Sequence, residues 1–305
     1  MAKKLLGFFN KQKQFEQDVM ENGMQYSSFY GDSLRRLKKN KMAMFCACVL
    51  ILLALMAIFA PLLAPYDPTY QDYSAVLGGP CKAHPFGTDE FGRDILSRII
   101  YGSRVSMIVA VGATIVGAFI GVLIGLTAGY FGGWIDSVLM RVMDGMFSFP
   151  FILLAMILIT VLGNGVMNVI LAIGIASVPG FARVTRGQVL IVKEEEYCNA
   201  CRVVGVSPVR LLFLHILPNC VSQIIVYATL RIASAIISEA SLSFLGLGIA
   251  LPTASWGSIL RVGRDCLTTA PHVAGTAGAF ILVTVIGFNL LGDGIRDVMD
   301  PKMKQ

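Results

Sequence analysis

Three long stretches of the chain contain no charged residue, and they constrain the fold more than any other feature. They cover residues 42–66, 105–135 and 145–182, which are 25, 31 and 38 residues long. An α-helix needs about 20 predominantly apolar residues to cross the hydrocarbon core of a bilayer. Each stretch is long enough, so the sequence predicts several transmembrane helices.

The composition supports the same conclusion. Of the 305 residues, 55% are hydrophobic and 14% are charged, and the mean hydropathy is +0.71. A soluble domain carries nearer to about 25% charged residues. We therefore predict an all-α, polytopic membrane protein. Its expected parts are a cytoplasmic tail (1–41), a first transmembrane helix (42–66), an extracytoplasmic loop (67–103), a five-helix core (104–298) and a second cytoplasmic tail (299–305).

The total expected is six transmembrane helices. The stretch 145–182 is too long for one untilted span, and Gly163-Asn164-Gly165 divides it into two helices joined by a tight turn. Two later spans are expected at about 220–245 and 275–291. In the second span, Gly117, Gly121 and Gly125 recur at four-residue spacing. These glycines either form a ridge that lets another helix approach closely, or they reflect only the frequency of glycine in membrane helices.

The extracytoplasmic loop ends in a short apolar pattern and carries several charges. The apolar residues of 94–101 fall on one helical face, so we expect a short helix lying at the outer membrane surface. Asp89, Glu90 and Asp94 could ligate a metal ion. Because Arg93 and Arg98 accompany these acids, we favour ion pairs that cap and brace the loop, and no metal site is expected.

The basic residues are distributed unevenly along this topology. With the N-terminus inside, 18 of the 25 Lys and Arg residues lie on the inner side, 6 lie on the outer side, and Arg231 lies within a span. This bias follows the positive-inside rule. The net charge of +6 therefore indicates orientation in a lipid bilayer, and no nucleic-acid partner is expected.

The hydrophobic second half has one long polar, charge-bearing interruption, residues 194–219, which we call the corner segment. By the charge bias it lies on the inner side, where ATP is. It is either a rigid docking surface for a partner protein or an ordinary loop with a surface helix. His215 is expected to cap or pack at the inner end of a short helix, with a proton relay as the alternative.

The corner segment has the pattern of two short helices joined by a sharp corner. Gly205 suits the left-handed position that ends a helix. Ser207 is a good N-cap, and Pro208 falls at the first helical position, where a missing N–H costs nothing. We expect the second helix to run from Pro208 to about Leu214 and to stop near Pro218.

No catalytic constellation is apparent in the sequence. The three histidines fall in different polar segments, and neither H-E-x-x-H nor G-x-S-x-G occurs. A phosphate-binding P-loop needs a Gly-Lys step, and no lysine follows a glycine. We therefore expect that the chain is not an enzyme and binds no cofactor, and that any ATP and Mg²⁺ are held by separate subunits.

The seven cysteines form no regular framework. Cys198 and Cys201 make a lone C-x-x-C, and a zinc or redox site there lacks a second ligand pair. Cys81 and Cys266 fall on the same predicted outer side, but the sequence gives no distance for a disulfide between them.

One charged side chain is predicted in the middle of a span. A charge there costs about 2.5–3.5 kcal/mol on insertion scales, so Arg231 must face a partner or a water-filled path. Glu239 lies eight residues on, close to two turns away and on a similar face. Arg231 therefore either pairs with Glu239 or with another subunit, or lines a substrate path and attracts a carboxylate.

The corner segment and three further stretches resemble ABC importer permeases. Tyr197, Ala200, Gly205 and His215-Ile-Leu-Pro-Asn219 match the cytoplasmic coupling loop of that family, although Asn199-Ala200-Cys201 stands where the family usually has Glu-Ala-Ala. The three further stretches are HPFGTDEFGRDILSR (84–98), EASLSFLGLG (239–248) with WG (256–257), and FNLLGDGIRD (288–297) with DP (300–301). The chain is most similar to the C-type permeases of dipeptide, oligopeptide, glutathione and nickel importers.

The resemblance implies a type I permease fold in a bacterial or archaeal cytoplasmic membrane, with both termini in the cytoplasm. It also implies a second, usually non-identical permease, two ABC ATPase subunits that bind ATP and Mg²⁺, and an extracytoplasmic substrate-binding protein, which would meet loops 84–98 and 251–264. The expected cargo is a di- or oligopeptide, or glutathione. The residues expected to couple to the ATPase are Asn199, Ala200, Gly205, Ser207, Pro208, His215 and Pro218, and those expected on the substrate path are Arg231 and Glu239.

Three alternatives remain open from the sequence. The same machinery could import nickel or another small solute. The chain could be an ion-coupled transporter without an ATPase, although only Arg231 and Glu239 are ionisable well inside the spans and no repeat with broken helices is evident. A membrane-embedded enzyme lacks any cluster of ligands or nucleophiles.

Overall fold

The computed structural model describes Lys38 and residues 40–299, so the predicted tails lie almost wholly outside the described residues. Within that part of the chain every named element is helical, and β pairing is limited to an isolated bridge between Thr88 and Asp94. The elements are α1 (Lys41–Ile58), α2 (Ala60–Leu63), a 3₁₀ turn (Tyr73–Ala75), α3 (Ile95–Phe131), α4 (Gly133–Phe147), α5 (Phe151–Leu162), α6 (Val166–Val192), α7 (Glu196–Val203), α8 (Pro208–Leu211), a π-turn (Leu212–Ile216), α9 (Leu217–Phe244), α10 (Trp256–Asp265) and α11 (Pro271–Met299).

Five helical stretches are long and apolar enough to cross a membrane. They are α1, α3, α6, α11 and the continuous run Pro208–Phe244, which joins α8, the π-turn and α9. Helices α4 and α5 form a sixth candidate as a pair bent by 91°. Alone, the 12 residues of α5 extend about 18 Å, which is less than the hydrocarbon thickness of about 30 Å. The predicted all-α class is confirmed, and the described chain has five candidate spans, or the predicted six if the bent pair counts as one.

The bend between α4 and α5 is enforced by sequence and held by ion pairs. Pro150 occupies the N-cap of α5, and a proline interrupts the hydrogen-bond ladder of a preceding helix. Arg186 of α6 contacts both carboxylate oxygens of Asp136 on α4, at 2.5 and 2.6 Å. Arg183 of α6 lies 2.6 Å from Asp144, also on α4. These pairs fix α4 against α6.

The short surface helix expected at residues 94–101 is not a separate element, so that prediction is wrong. The side chain of Asp94 caps a single 37-residue helix, α3, by accepting a hydrogen bond from the Ser97 amide. No breaker follows, because Gly102 continues the helix and lets the backbone at Ser255 approach. The apolar face packs inside the protein rather than on lipid, since Ile95 and Ile99 have no exposed surface.

The other glycine signals are confirmed. Gly163 and Gly165 have φ of +84° and +143° and separate α5 from α6. The ridge on α3 packs against α6: a Cβ added to Gly121 would lie 2.5 Å from Cβ of Phe181 and 2.6 Å from the carbonyl oxygen of Val178. Close backbone approach between α3 and α6 therefore requires glycine there.

Two apolar clusters lie at opposite ends of the bundle. The larger one joins α3, α6, α9, α10 and α11 around the buried Trp256, whose indole donates a hydrogen bond to the Ile99 carbonyl at 3.2 Å. The smaller one joins the far ends of α3 and α6 to the corner segment. We call the first the loop end, because it carries residues 64–94, and the second the corner end.

Candidate coupling and translocation surfaces

The corner segment has the predicted bend but not the predicted end. Helix α7 ends at Val203, Gly205 turns the chain with φ of +81°, and Pro208 begins α8. The backbone of Ser207 occupies the N-cap position, although its side chain makes no capping hydrogen bond. A Cβ added to Gly205 would have no neighbour within 4 Å. Glycine is therefore favoured at this position by the positive φ and not by crowding.

The helix that starts at Pro208 does not stop near Pro218, and that prediction is wrong. The amide of Leu217 donates to the carbonyl of Leu212, five residues back, at the close of a π-turn. The wider turn shifts the hydrogen-bond register just before Pro218, which lacks an N–H and then lies in the first turn of α9. His215 lies within this π-turn. The corner segment is therefore rigidly continuous with a transmembrane helix.

The underside of the corner segment is anchored in the smaller apolar cluster. The cluster brings together Leu126 of α3, Val189 and Val192 of α6, and Cys198, Leu211, Leu212, Ile216 and Cys220. The thiol of Cys198 is fully buried and lies 3.3 Å from the Val192 carbonyl oxygen. Cys201 packs at the margin of the cluster. Across the described residues, no group of three or more His, Cys, Asp or Glu could hold a metal ion.

A polar contact that the sequence did not predict joins the two sides of the corner. The side-chain amide of Asn219 donates to the phenol oxygen of Tyr197 at 3.1 Å and to the His215 carbonyl at 2.7 Å. Burial, together with the neighbouring Cys198 thiol, raises the pKa of Tyr197 to about 12. The phenol therefore stays neutral at physiological pH, and the contact persists as a neutral hydrogen bond.

The outward surface of the corner segment is apolar at its tip. Val203, Val204 and Val209 are 88%, 83% and 64% exposed, and we call these three residues the valine tip. Asn199 and Ala200 are also exposed on α7, where Arg202 donates to the Asn199 side chain at 2.9 Å. Clustered exposed valines on a rigid corner are typical of a surface that another protein covers.

Arg231 lies in α9 and has no acidic partner in the part of the chain that the structure describes. Its Nε is buried without a hydrogen-bond partner, and its guanidinium carbon lies 5.0 Å from the ring centroid of Phe151 at the start of α5. The predicted internal pair with Glu239 is wrong, because eight residues of helix separate the two by about 12 Å. Among the described residues, Arg231 is therefore a cation without a charge partner.

Glu239 is a structural hub rather than a neighbour of Arg231. It has no exposed surface, and its two carboxylate oxygens accept hydrogen bonds from Ser106 at 3.0 Å and Ser243 at 2.9 Å. Ser106 in turn accepts from the Trp256 amide at 3.1 Å. These bonds join α3, α9 and α10, so Glu239 does not line a path in this structure, contrary to expectation.

Charged residues between 84 and 98 form the predicted buried network, except that Glu90 is exposed and makes no ion pair in it. Asp89 accepts hydrogen bonds from the amides of Phe91 and Arg93, and its Oδ2 lies 2.7 Å from Nε of Arg93. Nε of Arg98 lies 3.6 Å from the same oxygen. Asp94 caps α3 and contacts the His84 ring at 3.0 Å. The acids therefore brace the loop onto α3.

The long spans, the bent corner with its exposed tip and the unpaired cation within a candidate span define a multi-pass membrane protein. Residues 121–305 match the family described as binding-protein-dependent transport system inner membrane component. Residues 28–80 match the N-terminal TM domain of oligopeptide transport permease C. The chain belongs to the binding-protein-dependent transport system inner membrane components and is an ABC importer permease.

Relatives of this chain are named for glutathione transport. The glutathione transport system permease protein GsiD of Escherichia coli O6:K15:H31 (strain 536 / UPEC) is 48% identical over 271 residues, which cover 88% of this chain and 89% of that protein. GsiD of Shigella boydii serotype 4 (strain Sb227) matches with the same values. Among solved structures, an inward-facing MetNI methionine ABC transporter matches with a TM-score of 0.49 and 20% identity, over 67% of this chain and 97% of that chain. The family assignment rests on the sequence matches and does not favour an ion-coupled transporter or a membrane enzyme.

Proposed function

We propose that this protein forms one half of the translocation path for di- and oligopeptides, including glutathione. An extracytoplasmic binding protein delivers the cargo, and a second, non-identical permease completes the path. The 48% identity to glutathione permeases supports this cargo class. Nickel remains the alternative cargo for the same machinery, and an uptake assay separates the two.

The observation that carries the proposal is the unpaired Arg231. A guanidinium without an acidic partner is costly within a bilayer, and a peptide or glutathione carries carboxylates that guanidinium groups bind well. The aromatic ring of Phe151 holds the cation in place. Arg231 is therefore proposed to attract the carboxylate of the passing substrate.

The corner segment is proposed to be the dock for an ATPase subunit. The valine tip would enter an apolar recess on that subunit. The shape of the docking surface around the tip would be set by Asn199, Ala200, Gly205, Ser207, Pro208, His215 and Pro218. Under this proposal two ATPase subunits bind ATP and Mg²⁺ and carry out hydrolysis. The corner end, with both termini, then faces the cytoplasm of a bacterium or archaeon.

The continuous helix Pro208–Phe244 supplies a direct mechanical link in this proposal. Residues 208 and 231 are separated by about 35 Å along one helical rod. A displacement of the corner segment by the ATPase would therefore move Arg231 as part of the same rigid body. This is how a rigid-body transition between inward-facing and outward-facing states could release a carboxylate.

The test compares uptake of labelled glutathione and a dipeptide in cells that carry the assembled importer. Arg231→Leu should abolish uptake while the ATPase and second permease still co-purify, and Arg231→Lys should retain part of it. Arg141→Leu removes an exposed cation of α4 and serves as the matched control. Normal uptake by Arg231→Leu would contradict the role of Arg231, and uptake of nickel alone by the wild type would contradict the cargo.

A further inference from the structure

We propose that a groove between α1 and α3 binds one phospholipid, whose phosphate is held by Arg104. The groove lies at the loop end of the bundle, so the lipid belongs to the outer leaflet under the proposed orientation. Nothing in the transport role requires this site, and the proposal stands on the shape and charge of the groove.

The groove has the dimensions of one acyl chain. Its volume is about 640 Å³, and it is lined by Ala54 and Ala57 of α1 and by Met107, Ile108, Val111 and Ile115 of α3. The residues from 104 to 115 span about 16 Å along the helix. That length is about half of the 30 Å hydrocarbon core, which corresponds to one leaflet.

A second, smaller crevice shares Arg104 with the groove. It has a volume of about 260 Å³, and Thr69, Tyr101, Pro252 and Thr253 line it together with Arg104. The Tyr101 and Thr253 hydroxyl groups can donate hydrogen bonds to phosphate or glycerol oxygens, whereas the Thr69 hydroxyl already donates to Asp67. Arg104 lines both cavities. An apolar channel and a hydroxyl-lined crevice that meet at a cation match the layout of a phospholipid.

Arg104 has its donors available for such a ligand. No carboxylate lies within ion-pairing distance of it among the described residues. The nearest polar contact of its guanidinium is a long one, 3.5 Å from Nη2 to the Ile58 carbonyl oxygen. Arginine binds phosphate through paired, charge-assisted hydrogen bonds. A helix of a second permease could also fill the apolar groove, but it would leave the Arg104 guanidinium without an anionic partner.

The experiment uses a phosphatidylglycerol that carries a photoactivatable diazirine on one acyl chain. The probe is added to membranes that contain the complete importer, and labelled residues are identified by mass spectrometry after irradiation. Label should concentrate on the 107–115 stretch of α3. Arg104→Gln should reduce this label about fivefold, the effect expected of losing one basic side chain near an anionic headgroup, whereas Arg104→Lys should retain most of it.

Two controls separate a specific site from general contact with lipid. Lys82→Gln removes an exposed cation elsewhere in the loop and should leave the label unchanged. Val111→Trp fills the groove without altering charge and should displace the label. Equal labelling of the wild type and Arg104→Gln, or equal labelling by an uncharged diacylglycerol probe, would overturn the proposal. Crosslinks from the wild-type groove to a second permease in place of lipid would also overturn it.

Discussion

The side-chain amide of Asn219 lies 3.1 Å from the phenol oxygen of Tyr197 and donates a hydrogen bond to it. The two residues are separated by 22 positions, one on α7 and the other in the first turn of α9. The bond therefore closes the corner segment across its open side, while the apolar cluster anchors it from beneath. Together these contacts make the corner segment one rigid unit at the end of a long helix.

Removing this bond should loosen the corner segment without unfolding the protein. In a double-mutant cycle, Tyr197→Phe and Asn219→Ala should show a coupling of about 0.5–1 kcal/mol in thermal unfolding of the purified importer. Asn219→Ala should also lower uptake more than ATPase binding, because a loose corner transmits less movement. Asn168→Ala removes a similar amide contact at the opposite end and should be additive with Tyr197→Phe. Additivity of the first pair would contradict the contact.

The buried network at residues 84–98 should depend on Asp89. Its carboxylate is 2% exposed and forms ion pairs with Arg93 and Arg98, which are 3% and 1% exposed. Asp89→Asn leaves these cations without their charge partner and should cost about 3–5 kcal/mol, seen as a lower unfolding temperature and faster proteolysis of the loop. Glu90→Gln alters the adjacent, exposed acid and should change stability by less than about 0.5 kcal/mol. Equal behaviour of the two variants would argue against the network.

The packing of α3 on α6 should not tolerate a side chain at Gly121. An added methyl would lie 2.5 Å from Cβ of Phe181, and relieving such overpacking typically costs about 1–3 kcal/mol. Gly187→Ala, on α6 where nothing lies within 4 Å, should instead gain up to about 1 kcal/mol of helix propensity. The unfolding temperatures of the two variants should therefore shift in opposite directions from that of the wild type. A shared direction would contradict the close approach.

The sequence predicted the features that short-range signals control. Gly163 ends α5 and Gly165 precedes α6, and both have a positive φ that glycine adopts easily. Gly205 needs its left-handed backbone regardless of its neighbours. The ion pairs of the outer loop followed from acids and arginines placed close together in the chain. The ridge of α3 was visible as a glycine spacing, although its partner helix was not.

The features that the sequence missed depend on tertiary contacts or on helix registry. Pro218 is a helix-breaking signal, but a π-turn shifts the register before it and the helix continues. The apolar pattern at residues 94–101 does not form a separate helix. It is the first part of α3, and its apolar face packs on α10. Glu239 looked like a partner for Arg231 from spacing alone, whereas its carboxylate accepts hydrogen bonds from Ser106 on α3 and from Ser243 on its own helix.

The central claim is that the valine tip faces the ATP-containing compartment. Fully buried Cys198 cannot report on this, so the measurement uses Val204→Cys in a chain whose accessible Cys48, Cys81 and Cys201 are replaced by serine. A thiol reagent that cannot cross membranes is applied to intact and to permeabilised cells. The control is a matched chain in which the exposed Cys81 is kept as the one accessible cysteine.

We expect the Val204→Cys thiol to react only after permeabilisation, whereas Cys81 reacts in intact cells. Reaction of the Val204→Cys thiol in intact cells at the rate of Cys81 would rule out this orientation, because the docking surface would then face away from the ATPase.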